Sequence, residues 1–424
     1  MTIADFVTVE WAPASDPTST TPTWVDITSI VQEVTVQGGR SGVFGLYGPR
    51  TATITCLNGT KAAAATFAID GFYRWRQIRV MSGTGEWVFT GHILTMTHDQ
   101  SNSPFSGQVV IECADKLGAL GAAEFNDDAG QLINGVEFAV TLTEAITTAL
   151  TQAQLDTTSI IFAGSTAFFK YPDRSDMNDS TTFPTGNILQ WLQSVSEAEV
   201  GGVQIAADGT PVVTGRWQPF TAAVEPNMTF TDTTPGVGEY RYLREDLTFA
   251  ATDSDYYNRG VAKSSLYDPV FEASNIPAGY PTETLSRTDL PFIYQSWAEA
   301  NAALYTALYS QQVTYPRSLH VYASSAFDAQ DVLPTLLSST YQFGEVQVAV
   351  KHTPAGTGQT QKTYRCTIEN VQHTITPTLW SVECGFGSLD RWIDAYGDGT
   401  DIYELVAIDG DAAHGIDSDA IIAP

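Results

Sequence analysis

Alternation of apolar and polar residues dominates the first part of the chain. Phe6 to Trp11 (FVTVEW) alternates, Ile27 to Arg40 (ITSIVQEVTVQGGR) carries Val31, Val34 and Val36 on one side, and Thr51 to Gly59 (TATITCLNG) stops on Asn-Gly. A period near two is the mark of a half-buried strand. Arg76 to Asp99 predicts a strand pair turning at Gly83 and Gly85, and the polar loop QSNSPFSG then leads into QVVIECADKLGAL. Several short strands at this spacing predict a barrel or sandwich over residues 1–120.

Beyond Leu120 the period changes to that of a helix. Leu142, Ile146, Ala149, Leu150 and Ala153 share one helical face, with Thr141 and Glu144 spaced as a capping box. Ile188, Leu192 and Val195 predict a second helix, with Thr185 or Asn187 near its start and Gly201-Gly202 at its end. The hairpin VQIAADGTPVVTG follows, its Asp208-Gly209 pair suited to a type I′ turn. Residues 121–232 therefore predict a small α+β insert.

The strand pattern returns at Tyr240 to Thr252 and Tyr256 to Leu266. A helix is predicted near Trp297 to Gln311, with Trp297, Leu304 and Leu308 inward and Ser296 and Glu299 as a capping box. The region 233–395 is thus a second β unit interrupted by a helical segment at about 270–335, and 396–424 is an acidic tail.

The closing hairpin echoes an earlier one. Ile93 matches Ile368, Met96 matches Val371, His98 matches His373, and Glu112-Cys113 matches Glu383-Cys384. The Ile-to-Cys separation is 20 residues in the first and 16 in the second, a difference assigned to the hairpin loop. Two distant copies around an α+β insert imply one type of unit used twice.

Charge narrows the function classes. Against 20 Lys and Arg stand 48 Asp and Glu, a formal net charge of −28, so the average surface repels phosphate and anionic lipid. Nucleic-acid binding by backbone neutralisation is disfavoured; a wall past which DNA slides without sticking is compatible. The N-terminal MTIADFVTVEW lacks a basic and an apolar segment, and no apolar run reaches the roughly 18 residues of a spanning helix, so synthesis and folding in a cytoplasm are expected.

Candidate chemistry is sparse. Cys56, Cys113, Cys366 and Cys384 lie far apart in apolar strand-like runs and are expected as free buried thiols, with a Cys366–Cys384 bridge as the lesser alternative. His98 and His373 are expected as partly exposed strand residues. In each Glu-Cys pair the neighbours point to opposite faces, the thiol in and the carboxylate out. The loops bearing Asp173, Asp176 and Asp179, and Asp409, Asp411, Asp417 and Asp419, lack the closing Glu of an EF-hand and are expected as solvated loops. No hydrolase, zincin, phosphate-loop or dinucleotide motif occurs with the right flanks, so no catalytic, cofactor-binding or metal-binding residues are expected.

The order W-x-DIT (Trp24 to Thr28), GGR (Gly38 to Arg40), G-PRTATITCLNG (Gly48 to Gly59), RQIRVMS, VFTGHI and VVIECAD resembles the N-terminal barrel of phage tail hub proteins, the minor tail proteins of phages of actinobacteria. WSVECGFGSLDRW, Trp380 to Trp392, resembles the end of the second hub barrel. The resemblance implies a mainly β protein with two related β-barrels joined by an α+β insert. It further implies a non-enzymatic homotrimer at the virion tail tip, its six similar units facing the sixfold rings of a tail tube. Implied partners are a distal tail protein or tube ring, the tape measure protein, and other minor tail proteins or fibres, with genomic DNA passing unbound and no membrane insertion. Two other readings stay open: a receptor- or carbohydrate-binding tail protein, suited by the many Trp and Tyr, and a cell-wall glycoside hydrolase using paired carboxylates.

Overall fold

This computed structural model describes residues 3–14, 19–40, 46–58, 74–99, 107–121, 147, 161–163, 188–199, 201–214, 228–237, 239–250, 256–264, 270–290, 295–310, 313–323, 347–356 and 358–391. Seven strands arise from the first alternating region: β1 (Val7–Trp11), β2 (Val25–Asp26), β3 (Val31–Gly39), β4 (Thr51–Asn58), β5 (Gln77–Ser82), β6 (Trp87–Asp99) and β7 (Gly107–Ala114). Every second residue of β1 and β5 is buried, as a two-residue period requires. In space the strands run β3-β4-β7-β6-β5-β1-β2.

The second unit repeats this order. Its strands are β11 (Met228–Thr231), β12 (Glu239–Arg241), β13 (Leu247–Ala250), β17 (Tyr315–Ala323), β18 (Gln347–His352), β19 (Lys362–Ile375) and β20 (Trp380–Ser388). They run β13-β17-β20-β19-β18-β11-β12, so each strand occupies the place of its counterpart in sequence order. The duplication covers seven strands, the echoing hairpin among them. Two pairings differ: β1 is antiparallel to β5 and β2, whereas β11 is parallel to β18 and β12.

A shared bulge fixes the alignment of the two units. The β6–β7 register slips between Ile93 and Thr95, and the β19–β20 register slips between Ile368 and Asn370. Matched on these bulges, Ile111 corresponds to Cys384 and Cys113 to Phe386. The Glu-Cys echo is therefore offset by two residues, and the hairpin loops differ by two, not four. An even offset keeps both thiols inward, since side chains alternate faces: Cys113 and Cys384 are buried and Glu112 is exposed.

The two units are one sheet. β3 pairs antiparallel with the second half of β19, from Ile375 opposite Val34 to Asn370 opposite Gly39, giving 14 connected strands. The mainly β architecture with an α+β insert is as expected; among the described residues neither unit closes on itself by strand pairing, and the two seven-strand units are in continuous contact. One apolar core spans both, and Phe6 meets the edge of the fully buried Trp380 at 6.5 Å.

The insertions pack beside this sheet. A short helix, α1 (Lys116–Leu120), is capped by Asp115, whose carboxylate accepts the amides of Leu117 and Gly118. In the α+β insert, β8 (Ile161–Ala163), α2 (Ile188–Glu199), β9 (Gly202–Ile205) and β10 (Pro211–Thr214) form a three-stranded sheet and a helix, with Ile188 and Leu192 inward as predicted. The turn is not type I′: Gly209 has φ +89° but Asp208 does not, and the loop closes from Ala206 to Thr210 with glycine alone in the left-handed region. Of the helix predicted around Leu142 to Ala153 only Thr147 is among the described residues, and it is helical.

In the second unit β14 (Arg259–Ser264), β15 (Val270–Ser274), β16 (Thr284–Leu290) and α3 (Gln295–Tyr309) form a side unit that begins before the segment assigned to it. The helix is already running at Gln295, so Ser296 is not its cap; Leu304 and Leu308 point inward as predicted. Ala198 of α2 joins Ala298, Ala302 and Tyr305 of α3 in one apolar cluster, and Asn301 donates to the Ala198 carbonyl at 3.1 Å. The two insertions thus brace each other.

Gly39 offers a direct check of the shared sheet. Its φ is +120° and an added Cβ would lie 2.2 Å from the Glu369 carbonyl oxygen. Gly39→Ala should cost about 3 kcal/mol or more in urea unfolding. Gly85→Ala, with φ +87° but nothing within 4 Å, should cost about 1 kcal/mol.

Candidate functional site: the joint between the two units

The joint ends in a clasp built from GGR on one side and the β19 bulge on the other. The Arg40 amide donates to the Glu369 carbonyl at 2.8 Å, and Asn370 Nδ2 donates to the Arg40 carbonyl at 3.2 Å. Arg40 Nε donates to Glu369 Oε2 at 2.5 Å, and Thr367 Oγ1 donates to Glu369 Oε1 at 2.7 Å. Glu369 is 1% exposed, so an ion pair here survives because its oxygens are occupied on both sides. Burial alone lowers the Arg40 pKa, but the adjacent Glu369 carboxylate, with Tyr47, outweighs it and holds the guanidinium firmly charged.

The glycines of the closing segment exist to admit this clasp. A Cβ on Gly387 would lie 2.7 Å from Glu369 Oε1, and one on Gly385 would lie 2.4 Å from Asn370 Nδ2. The run Cys384-Gly-Phe-Gly-Ser388 therefore alternates core side chains with gaps for polar neighbours. Arg40 also stacks 4.8 Å from the Tyr47 ring centroid, and the Tyr47 carbonyl accepts from Gln193 Nε2 of α2 at 3.1 Å, which ties the insert to the joint.

His373 lies on the same strand, opposite Val36 of the first unit. It is buried, not partly exposed as expected, because β3 covers it. Trp380 Nε1 donates to its Nδ1 at 3.3 Å, placing the neutral ring's proton on Nε2. Burial, with the charge of Arg50 nearby, pushes His373 down to about 3.

A second polar knot closes the far end of the sheet. The fully buried Asp232 side chain pairs with Arg244 Nε at 3.0 Å and accepts from the Thr353 amide at 2.9 Å and from Gln361 at 3.3 Å. Burial opposes its charge, yet these donors and the Arg244 and His352 charges hold its pKa below the usual range. Tyr242 Oη lies 3.1 Å from His352 Nδ1 and from the Lys351 carbonyl oxygen. These contacts tie β11, β12 and β18 together.

The other residues weighed from sequence are dispersed. Glu112 accepts from Thr95 Oγ1 at 2.7 Å across β6 and β7, and Glu383 pairs with His320 at 3.3 Å on a half-exposed face. His98 lies in β6. The four cysteines are free and buried; burial raises every thiol pKa, that of Cys56 and Cys384 to about 12. Both acidic loops lie outside the described residues, among which no group of three or more His, Cys, Asp or Glu is placed to hold a metal. Sequence reasoning missed Arg40, Glu369 and Asp232. A lone Glu inside CTIENVQHTI was the available signal for the clasp.

The arrangement joins sheets and leaves its polar groups engaged with one another, and the fold has solved counterparts. A 43 kDa tail protein of prophage MuSo2 from Shewanella oneidensis superposes with TM-score 0.54 at 9% identity, over 91% of this chain and 98% of that one. A tail protein from Neisseria meningitidis MC58 superposes with TM-score 0.53 at 12% identity, over 89% and 95%. The chain has the fold of phage tail proteins. No protein-family model and no curated protein matches the sequence.

Two substitutions probe the joint. Glu369→Ala leaves Arg40 buried without its anion and should cost about 3–5 kcal/mol, whereas Arg40→Met with Glu369→Leu should recover most of that loss in urea unfolding. His373 sets a pH dependence: the unfolded ring takes up a proton below about pH 6.5 and the folded one resists, so stability is full above that value and falls as pH drops toward about 3. His373→Gln, which keeps an acceptor for Trp380, should flatten the slope by one proton, about tenfold in the folding constant per pH unit.

Proposed function

We propose that this chain is a structural virion component of a phage tail, a non-enzymatic tail-tip hub that assembles as a trimeric ring. The observation that carries the reading is the seven-strand topology used twice and joined head to tail, on a fold shared with phage tail proteins. Three chains then present six similar units, which matches a threefold tip to a sixfold tube. Closed rings are built from head-to-tail contacts of this kind.

The charge fits the role. A formal −28 leaves a bore through which DNA passes without adhesion. The neighbours in such an assembly are the tube ring or distal tail protein above, and the tape measure protein and other minor tail proteins or fibres around and below.

Electron microscopy of the purified chain and of its native particle tests the proposal. A threefold ring with a pseudo-sixfold outline at the tail end is expected. A monomer absent from every particle would overturn it and return the glycan-binding reading to the front.

A further inference from the structure

Among the described residues the joint inside one chain has an unpaired counterpart. β19 uses one edge twice: its first half pairs with β18 and its second half with β3. In the first unit β6 pairs with β5 along its first half, and among the described residues no strand pairs with the same edge of its second half. Conversely β3 lends its outer edge to β19, while its counterpart β13 pairs only with β17 among the described residues. The described residues therefore leave one donor edge and one acceptor edge of the kind the internal joint satisfies.

We infer that β13 of one copy adds to the second half of β6 of the next, repeating between chains the β3–β19 pairing made within each. The inference rests on the ring proposed above and names the surface that closes it. Its register follows from the bulges. Thr95 through Asp99 correspond to Asn370 through Thr374. Val34 corresponds to Leu247 because Ile54 and Leu319 face Ile111 and Cys384 respectively. Thr35 lies opposite Thr374 in the joint, so Thr248 lies opposite Asp99 of the neighbouring copy.

Burial supports the assignment independently. Val371 is buried where its counterpart Met96 is only partly buried, and Val36 is buried where Phe249 is only partly buried. Asn370 and Thr35 are partly covered, whereas Thr95 and Thr248 are exposed. Leu243, just ahead of β13, is 51% exposed. Each position is less covered than its counterpart in the joint, and such an edge is a template for a further strand.

The two contacts are not interchangeable. The bulge residue is Glu369 in the joint and Leu94 in β6, so Arg40 finds its anion within the chain and not at the second site. The internal contact is specified by a buried charge pair and the external one by strand addition, which yields threefold and not sixfold equivalence.

Opposed residues of an antiparallel pair lie about 4.5–5.5 Å apart at Cα, within disulfide reach. Thr248→Cys with Asp99→Cys, mildly oxidised, should give covalent two-chain and three-chain species, while each single variant and the mismatched pair Thr248→Cys with Leu94→Cys should not. In the unmodified chain, amides of Thr95 to Asp99 and Leu247 to Ala250 should gain hydrogen-exchange protection on assembly. A threefold ring seen by microscopy with neither cross-link nor protection would overturn this inference and leave the hub reading intact. A chain that forms no oligomer and enters no particle would remove both.

Discussion

One buried carboxylate governs the geometry at the centre of the sheet. The bulge in β19 places Glu369 inside, where an unpaired charge would cost several kcal/mol, and so the surrounding sequence is constrained from three directions. Arg40 must arrive from β3, Thr367 must supply a hydroxyl, and Gly387 must leave space. A one-residue slip of β3 against β19 would separate Arg40 from Glu369 and turn Val34 and Val36 away from the core. The pair therefore contributes register more than net stability, and register is what joins two units into one sheet.

How far this was legible from sequence depended on the range of the signal. Period-two alternation located the strands of the first unit because each reports its own burial, and the 3.6 period located α2 and α3 through Ile188, Leu192, Leu304 and Leu308. Local turn chemistry was less secure: Asp208-Gly209 satisfies two hairpin geometries, and only the backbone chose between them. The echo exposed the duplication but misplaced it by two residues, since Glu-Cys recurs at different heights on the two strands while the bulges do not. His373 looked like an edge residue because its cover, β3, comes more than three hundred positions earlier. Pairings between distant strands leave no periodic trace, which is why the clasp showed only as a lone Glu inside an apolar strand and the Asp232 knot not at all.

The two units have diverged where their surroundings differ. At the bulge the first unit carries Leu94 and the second Glu369; across the hairpin Glu112 receives Thr95 in one, and Gly385 yields to Asn370 in the other. The insertions follow the same logic. The α+β insert separates the units, the side unit interrupts only the second, and α2 meets α3 through Ala198 and Asn301. Neither insertion disturbs the strand order, so both could be acquired without altering the edges that carry the sheet.

A duplicated sheet joined head to tail has two ends that resemble its own middle. If the copies were identical, internal and external contacts would compete, and chains could add in either register or extend without closing. Glu369, with Gly385 and Gly387 beside it, resolves that competition inside the chain, because Arg40 can be satisfied at the second unit and nowhere equivalent on the first. The joint thus forms with folding, and the remaining edges, β13 and the second half of β6, are left to meet a partner of matching geometry. Specificity from a buried charge at one contact is what allows the other to consist of little more than backbone hydrogen bonds and half-covered apolar residues.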